Sequence, residues 1–294
     1  MNNKIEITKS FKVKRTTPLL EFLLEHLNTS RNNCKMLLSN HLVMVNGEVI
    51  TKFDYSLARE DEVKILKNRI DKPSTNKEKV RIPRMEIIYE DEYFIAINKP
   101  HGVLSVESDK DINSCYSIVS QYLKPKGERP YIIHRIDKET SGVLVFAKNE
   151  KVHSILRLHW NDYVKYREYH AVVEGKMTGS DTIINYLTEN KNNIVYSTNK
   201  ENGIKAITSY KVLKSNSDYS LLDVEIKTGR KNQIRVTMMD LSHPIIGDDK
   251  YKSNKNPIKR LGLHATRLEL VNPLTKELMV FNTKYPVIFD SLFK

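Results

Sequence analysis

The chain is short of the residues that staple small or exported domains. Its 294 residues include two cysteines, Cys34 and Cys115, which have neither metal-ligand spacing nor a disulfide framework. A reducing, intracellular compartment is therefore expected. Met1 to Ser10 is polar and holds no apolar signal segment. No run approaches the ~20 apolar residues of a membrane span. These absences point to a cytoplasmic protein with no membrane partner, expected as a monomer. There is no internal repeat and no low-complexity tract. Acid is also scarce: 36 Asp and Glu face 48 Lys and Arg, a net charge of +12. That excess favours a polyanion, of which nucleic acid is the commonest. A lysine-rich surface kept for solubility would give the same count, so charge alone does not decide.

The length allows a small and a large domain with a real core. From Pro18, the spacing of Leu19, Leu20, Leu23, Leu24 and Leu27 predicts an amphipathic helix with proline at its start. Ser30 is the expected N-cap of a second helix carrying Cys34, Leu37, Leu38 and, at its far end, Leu42. Leu42–Val45 and Glu48–Ile50 flank Asn46-Gly47, a strong hairpin signal. Residues 61 to 66 close this unit as a strand. Residues 67–85 are basic and lack apolar periodicity, the pattern of a linker. Beyond them, short strands alternate with helices, so three segments are expected: 1–66, 67–85 and 86–294. Strands are predicted at 87–89, 93–97, 169–174, 206–213 and 220–226, with the last two antiparallel, and helices at 114–123 and 149–160.

Two stretches are dense in chemistry. In the first, the apolar runs Tyr131–Ile133 and Val143–Ala147 flank His134-Arg135-Ile136-Asp137-Lys138-Glu139-Thr140-Ser141-Gly142. A charged loop on a rigid sheet edge is a common site of chemistry. Asp137 could merely cap a turn, with Thr140 and Ser141 bonding the backbone and Gly142 supplying a positive φ. Alternatively, Arg135 and Asp137 alternate along an extended segment and point to one side. Local chemistry leaves both open. In the second stretch, Gly229 ends a strand and a short helix starts near Asn232, which puts Arg230 and Arg235 near a turn and a helix N-terminus. Such a place suits phosphate or a carboxylate, or it is a surface ion pair of little energetic weight.

Five motifs occur in order: N-K-P-H-G-V-L-S-V (98–106), H-R-I-D-K-E-T-S-G (134–142), G-R-K-N-Q-I-R (229–235), H-P-I-I-G-D-D-K-Y (243–251) and L-H-A (263–265). Together, over residues 86–283, they resemble the RluA/RluD-like pseudouridine synthases whose signature is H-R-L-D-x-x-T-S-G. Residues 18–66, with the Val43–Gly47 hairpin, resemble the RNA-binding module named for ribosomal protein S-four. The resemblance implies an α+β fold: a mixed, mainly antiparallel sheet with flanking helices and a central RNA cleft, plus a small N-terminal α/β domain. It implies Asp137 as nucleophile, Arg235 as its partner, Arg135 in the space left by a flipped uridine, and Tyr169 stacked on the base with a share in proton removal. His134, Thr140, Arg230, Asn232 and Gln233 are then expected to bind substrate. Arg31 and Lys35, on the second helix, are expected to touch RNA.

The residue types suit the reaction. Isomerising uridine exchanges a nitrogen–carbon glycosidic bond for a carbon–carbon one, with no redox change and no group transferred. The chemistry needs a nucleophile or anion at the sugar–base junction, and carboxylates serve that role at sugar carbons. A guanidinium partner keeps such a carboxylate ionised when a cleft closes over it. The uridine must leave its stack, at a cost of a few kcal/mol. No metal or organic cofactor is called for. Ribosomal RNA is the expected substrate class, with transfer RNA as the alternative. Two positions depart from the family pattern: Asn232 stands where His is usual, and Thr237 where a second His is common, so altered contacts around the site are expected. The competing reading is an RNA-binding or ribosome-assembly factor that keeps the fold without turnover.

Overall fold

A computed structural model describes residues 6–67, 85–107 and 113–294. The chain divides into two compact units, Met1–Val80 and Arg81–Lys294. Apart from its two ends, Lys67 and Met85, the basic linker expected at 67–85 lies outside the described residues.

The N-terminal unit begins with β1 (Ile7–Lys12) and β2 (Thr17–Pro18), followed by α1 (Leu19–Leu27) and α2 (Arg31–Ser39). Pro18 is the N-cap of α1, and the Ser30 hydroxyl accepts the Asn33 N–H to cap α2. Helix α2 stops at Ser39, and His41 turns the chain at a φ of 60°, so Leu42 leads into the next strand instead of extending the helix. Strands β3 (Val43–Val45) and β4 (Glu48–Val49) form the hairpin, with Asn46 and Gly47 both at positive φ (49° and 88°), as a type I′ turn demands. After β5 (Ser56–Leu57), strand β6 (Glu62–Leu66) runs between β1 and β3, giving the sheet order β1-β6-β3-β4. Leu19, Leu23, Leu38, Val43 and Val63 are fully enclosed in one apolar core.

The second unit comprises β7 (Glu86–Glu90), β8 (Phe94–Lys99), α3 (Cys115–Leu123), β9 (Tyr131–Ile132), β10 (Ser141–Ala147), α4 (Glu150–Tyr163), β11 (Val164–Glu174), β12 (Ser180–Glu189), β13 (Val195–Thr198), β14 (Ile204–Ser215), β15 (Tyr219–Ile226), α5 (Gln233–Asp240), β16 (Leu263–Val271) and β17 (Leu278–Asn282). Its strands form one 11-stranded sheet whose spine is β13-β12-β14-β15-β11-β16-β10-β8-β7. The fold is mixed α+β. Among the described residues, its named strands all pair antiparallel except β10 with β16. Strand β10 is buried along its whole length and apolar from Val143 on, as a central strand should be.

The parallel contact is short, Ser141 opposite His264 and Gly142 opposite Ala265, and it joins the two halves of the sheet. Gly142 has a φ of 112°, and a β-carbon there would lie 2.1 Å from the Ala265 carbonyl oxygen. Only glycine lets the strands meet at this point. The loop 133–140 leaves β9 and enters β10 at this junction, while α5 starts from the other half.

No helix among the described residues is long and apolar enough to cross a membrane. Cys34 and Cys115 are free and buried.

Candidate functional site

The junction opens into a cavity of about 270 Å³. All nine candidate catalytic and substrate residues of this unit line it: His134, Arg135, Asp137, Thr140, Tyr169, Arg230, Asn232, Gln233 and Arg235. They come from one loop, one strand and one helix start, and sequence separations up to 98 residues close there.

Asp137 is fixed through the backbone on both sides. The Ser105 hydroxyl donates to the Ile136 carbonyl (2.7 Å) and accepts the Ile136 N–H (3.2 Å). On the other side, Lys138 O accepts from Lys99 Nζ (2.8 Å) and from Gly102 N–H (3.0 Å). Lys99 is completely buried and also donates to the carbonyls of Pro100 (3.1 Å) and Val103 (2.6 Å). Burial pushes its amine down to about 8. The Thr140 N–H closes a turn onto Asp137 O at 3.2 Å. The turn therefore coexists with an Asp137 carboxylate that faces the cavity beside Arg135, so the turn does not exclude the second reading. Lys99 and Ser105 belong to the first motif, yet nothing in that string marks them as clamps on a loop some 40 residues away.

The Asp137 carboxylate meets two donors at Oδ2: Asn232 Nδ2 at 2.6 Å and Arg235 Nη1 at 3.4 Å. Arg235 spends its better hydrogen bonds elsewhere. Its Nε and Nη2 grip the fully buried Asp248 carboxylate, both at 2.7 Å. Burial works against the Arg235 charge, but the Asp248 hydrogen bonds and the charges of Asp248 and Asp137 outweigh it and raise the guanidinium pKa. Asp248 in turn accepts the N–H groups of Lys250 and Tyr251. The pairing expected from sequence is present, but it is the weaker arm of a fork whose strong arm the motifs do not announce. Asp248 and Tyr251 stand in the fourth motif, and only folding brings them under Arg235.

Asn232 sits at φ 54°, a left-handed conformation that asparagine tolerates. Its Oδ1 accepts from Tyr251 Oη (3.1 Å) and Lys250 Nζ (3.3 Å). Gln233 frames the cavity: Oε1 accepts from Thr228 Oγ1 and Arg230 N, and Nε2 donates to Ile207 O and Thr208 Oγ1. Both its donors and both its lone pairs are engaged within the protein, so its amide reaches substrate only by giving up one of these bonds. Thr237, at the other departure from the family pattern, is buried near Asn185 and Thr208.

Two aromatic groups shape the wall. His134 accepts the Val145 N–H at Nε2 (2.9 Å) and stacks on Trp160. Burial, with Arg167 nearby, pushes its imidazole down to about 3, which favours the neutral ring in this wall. Burial likewise pushes the Tyr169 phenol up to about 12, against the Arg167 charge and with that of Asp137. In the free protein Tyr169 is thus a protonated phenol.

Arg167, two residues before Tyr169 in the segment Arg167-Glu168-Tyr169-His170-Ala171, donates to Lys227 O (2.9 Å), and its buried Nε has no hydrogen-bond partner among the described residues. Arg135 and Arg230 are exposed at the cavity. Arg230 is tied to Lys205 O (3.2 Å), and Arg135 takes no partner among the described residues. In the N-terminal unit, Arg31 and Lys35 are exposed on α2, with the Lys35 ammonium 5.5 Å from the Phe53 ring centre.

Residues 93–240 match the family model described as RNA pseudouridylate synthase. The chain is 33% identical over 268 residues to the ribosomal large subunit pseudouridine synthase D of Borreliella burgdorferi, covering 85% of this chain and 81% of that protein. It is 31% identical over 230 residues to the tRNA pseudouridine synthase C of Vibrio parahaemolyticus, covering 71% and 94%. Among solved structures it superposes on the human RNA pseudouridylate synthase domain containing 1 with a TM-score of 0.59 at 22% identity, covering 76% of this chain and 89% of that one.

Proposed function

Since this chain belongs to the RNA pseudouridylate synthase family, an isomerase family acting on RNA, we propose that Asp137 is its nucleophile on a uridine turned out of its stack. The observation that carries this reading is the treatment of that one carboxylate. Its backbone is held on both sides by Ser105, Gly102 and Lys99, and its Oδ2 faces an amide and a guanidinium at a cavity. Such constraint fits a group that must meet a sugar–base junction in one geometry.

A cavity of about 270 Å³ is scaled for one nucleoside, just below the range of about 300–1,000 Å³ common for small-molecule sites. Tyr169 offers a face on which the base stacks, and its protonated phenol stands as a donor to a base oxygen or to charge developing on the ring. Arg135, exposed and unpaired among the described residues, is free to enter the gap left in the RNA. Arg235 keeps the Asp137 charge compensated as water leaves the cleft. The C5 proton of the uridine must depart after the new C5–C1′ bond forms. The share in its removal expected of Tyr169 would need the phenol to lose its own proton first, which its raised pKa opposes, so water is the proposed acceptor.

Ribosomal RNA is the proposed substrate class. The ribosomal relative matches 85% of this chain, whereas the transfer RNA relative matches 71%. Residues 18–66 are proposed as an S-four-like RNA grip, with Arg31 and Lys35 on phosphates.

The test incubates wild-type protein and Asp137→Ala with total RNA from a strain lacking the gene and maps pseudouridine in the product. Wild type generates it at defined uridines, and Asp137→Ala generates none while still binding RNA. Normal turnover by Asp137→Ala would remove Asp137 from the mechanism, and an inactive wild type would favour an RNA-binding factor.

A further inference from the structure

We propose that Asn232 is a positioning residue that commits one oxygen of Asp137 to the protein and leaves the other, Oδ1, as the reacting atom. This rests on the reading of Asp137 as nucleophile. The geometry behind it is a chain of contacts whose polarity allows one solution. Tyr251 Oη accepts the Val195 N–H at 3.3 Å and donates to Asn232 Oδ1 at 3.1 Å. Lys250 Nζ, anchored on Asn193 O (2.8 Å), donates to the same Oδ1 at 3.3 Å. An ammonium has only donors, so the Asn232 oxygen must face Lys250 and its amide nitrogen must face Asp137. That nitrogen lies 2.6 Å from Oδ2, while among the described residues Oδ1 accepts no hydrogen bond.

Both donors on the carboxylate, Asn232 and Arg235, fall on the same oxygen. A carboxylate held in this way cannot spin about its Cβ–Cγ bond without losing both. Its free lone pairs therefore keep one direction, which is what a single attack geometry requires. Asn232 is almost completely buried, as is Tyr251, so water is a poor substitute for either contact. An amide also does not titrate, so this hold on Asp137 is the same at every pH at which Arg235 and Lys250 are charged.

The experiment follows turnover on total RNA labelled with 5-tritiated uridine, since isomerisation releases the C5 hydrogen to water. One hydrogen bond to an ionised group corresponds to a roughly ten- to hundredfold change in rate. Asn232→Ala is expected to lower kcat by about that factor with KM and RNA affinity unchanged. Tyr251→Phe, which removes one of two anchors on the amide, is expected to lower kcat less, about threefold to tenfold.

Asn232→Asp supplies a readout that a structural role would not move. Two ionised carboxylates repel at neutral pH, whereas below it the pair shares a proton and the protonated residue 232 again donates to Asp137. Its activity should rise as pH falls from about 8 toward 5.5, relative to wild type at each pH. Wild-type kcat in Asn232→Ala, or an Asn232→Asp profile parallel to wild type, would overturn the positioning role while leaving Asp137→Ala inactive. Should Asn232→Asp fail to fold, Asn232→Ala and Tyr251→Phe decide by the kcat and KM split alone. Turnover in Asp137→Ala would instead sink the reading beneath it.

Discussion

The two units handle polarity in opposite ways. In the N-terminal unit the buried residues among those described are all apolar, from Val13 and Leu19 through Ile65 and Leu66, and its charges pair on the surface, as in Lys12–Glu60 and Arg15–Glu25. In the second unit, Lys99, Asn232, Gln233, Arg235, Asp248 and His264 are all buried, and Asn232 and Arg235 touch Asp137 directly. Burying a charge without exact compensation costs several kcal/mol, so such groups do not accumulate by chance. The difference bears on where each unit is proposed to act: an exposed basic helix face in one, and a buried polar network around a single carboxylate in the other.

The sharpest way to break the contrast is to unpair the buried fork. Asp248→Asn leaves Arg235 half-compensated in a buried site, with an expected loss of about 3–5 kcal/mol of stability. It also releases the arm that reaches Asp137, so kcat should fall at least hundredfold. Thermal melting and tritium release check the two effects separately. Next comes Lys99→Met, which keeps the stem and removes the ammonium. Each buried carbonyl left short of its donor costs about 1–3 kcal/mol. Because the Lys138 backbone loosens, kcat should fall more than KM rises.

A smaller and pH-dependent effect follows from the buried imidazoles. Burial, with Arg167 near the first and Arg260 and His170 near the second, pushes His134 and His264 down to about 3. In the unfolded chain a histidine takes up its proton below about 6.5. Between those values the unfolded state binds protons that the folded state refuses. The stability these residues contribute is whole above about pH 6.5 and drains away as pH falls toward 3. Denaturant titrations of the full chain at pH 7 and pH 5 should show the loss, and His134→Gln should remove the share due to His134.

The mildest prediction concerns the other unit. Arg31→Ala with Lys35→Ala should leave kcat intact and make RNA binding less sensitive to salt, the slope falling by about 1 for each phosphate no longer neutralised. An unchanged slope would show that α2 is merely a solvated face.

The sequence makes some of this legible and hides the rest for physical reasons. Strand β10 can be read because a run such as Val143–Ala147 has no alternative but burial, and Asn46-Gly47 because few other residues accept two positive φ angles. Strands β12 and β13 escape such a reading: in Ser180–Glu189 all residues but one are exposed or half-buried, so no period stands out. The motifs deliver Asp137 and Arg235 to one cavity, and the resemblance adds Tyr169. They do not disclose that Arg235 leans chiefly on Asp248, nor that Asn232 touches the carboxylate itself. Those facts depend on contacts spanning 13 and 95 residues and on an asparagine in a left-handed backbone, none of which has a local signature. Lys99 is visible in the sequence only as part of a motif, because its three carbonyl partners exist only once the 98–103 turn and the 133–140 loop meet.

The most direct test of the central claim is Asp137→Asn, which preserves the shape of the side chain and removes only its charge. Single-turnover tritium release at saturating RNA should fall at least a thousandfold, with RNA affinity within about twofold of wild type. Turnover within tenfold of wild type would contradict the account, because a neutral amide held in the same place cannot supply the nucleophile that the site is built to hold.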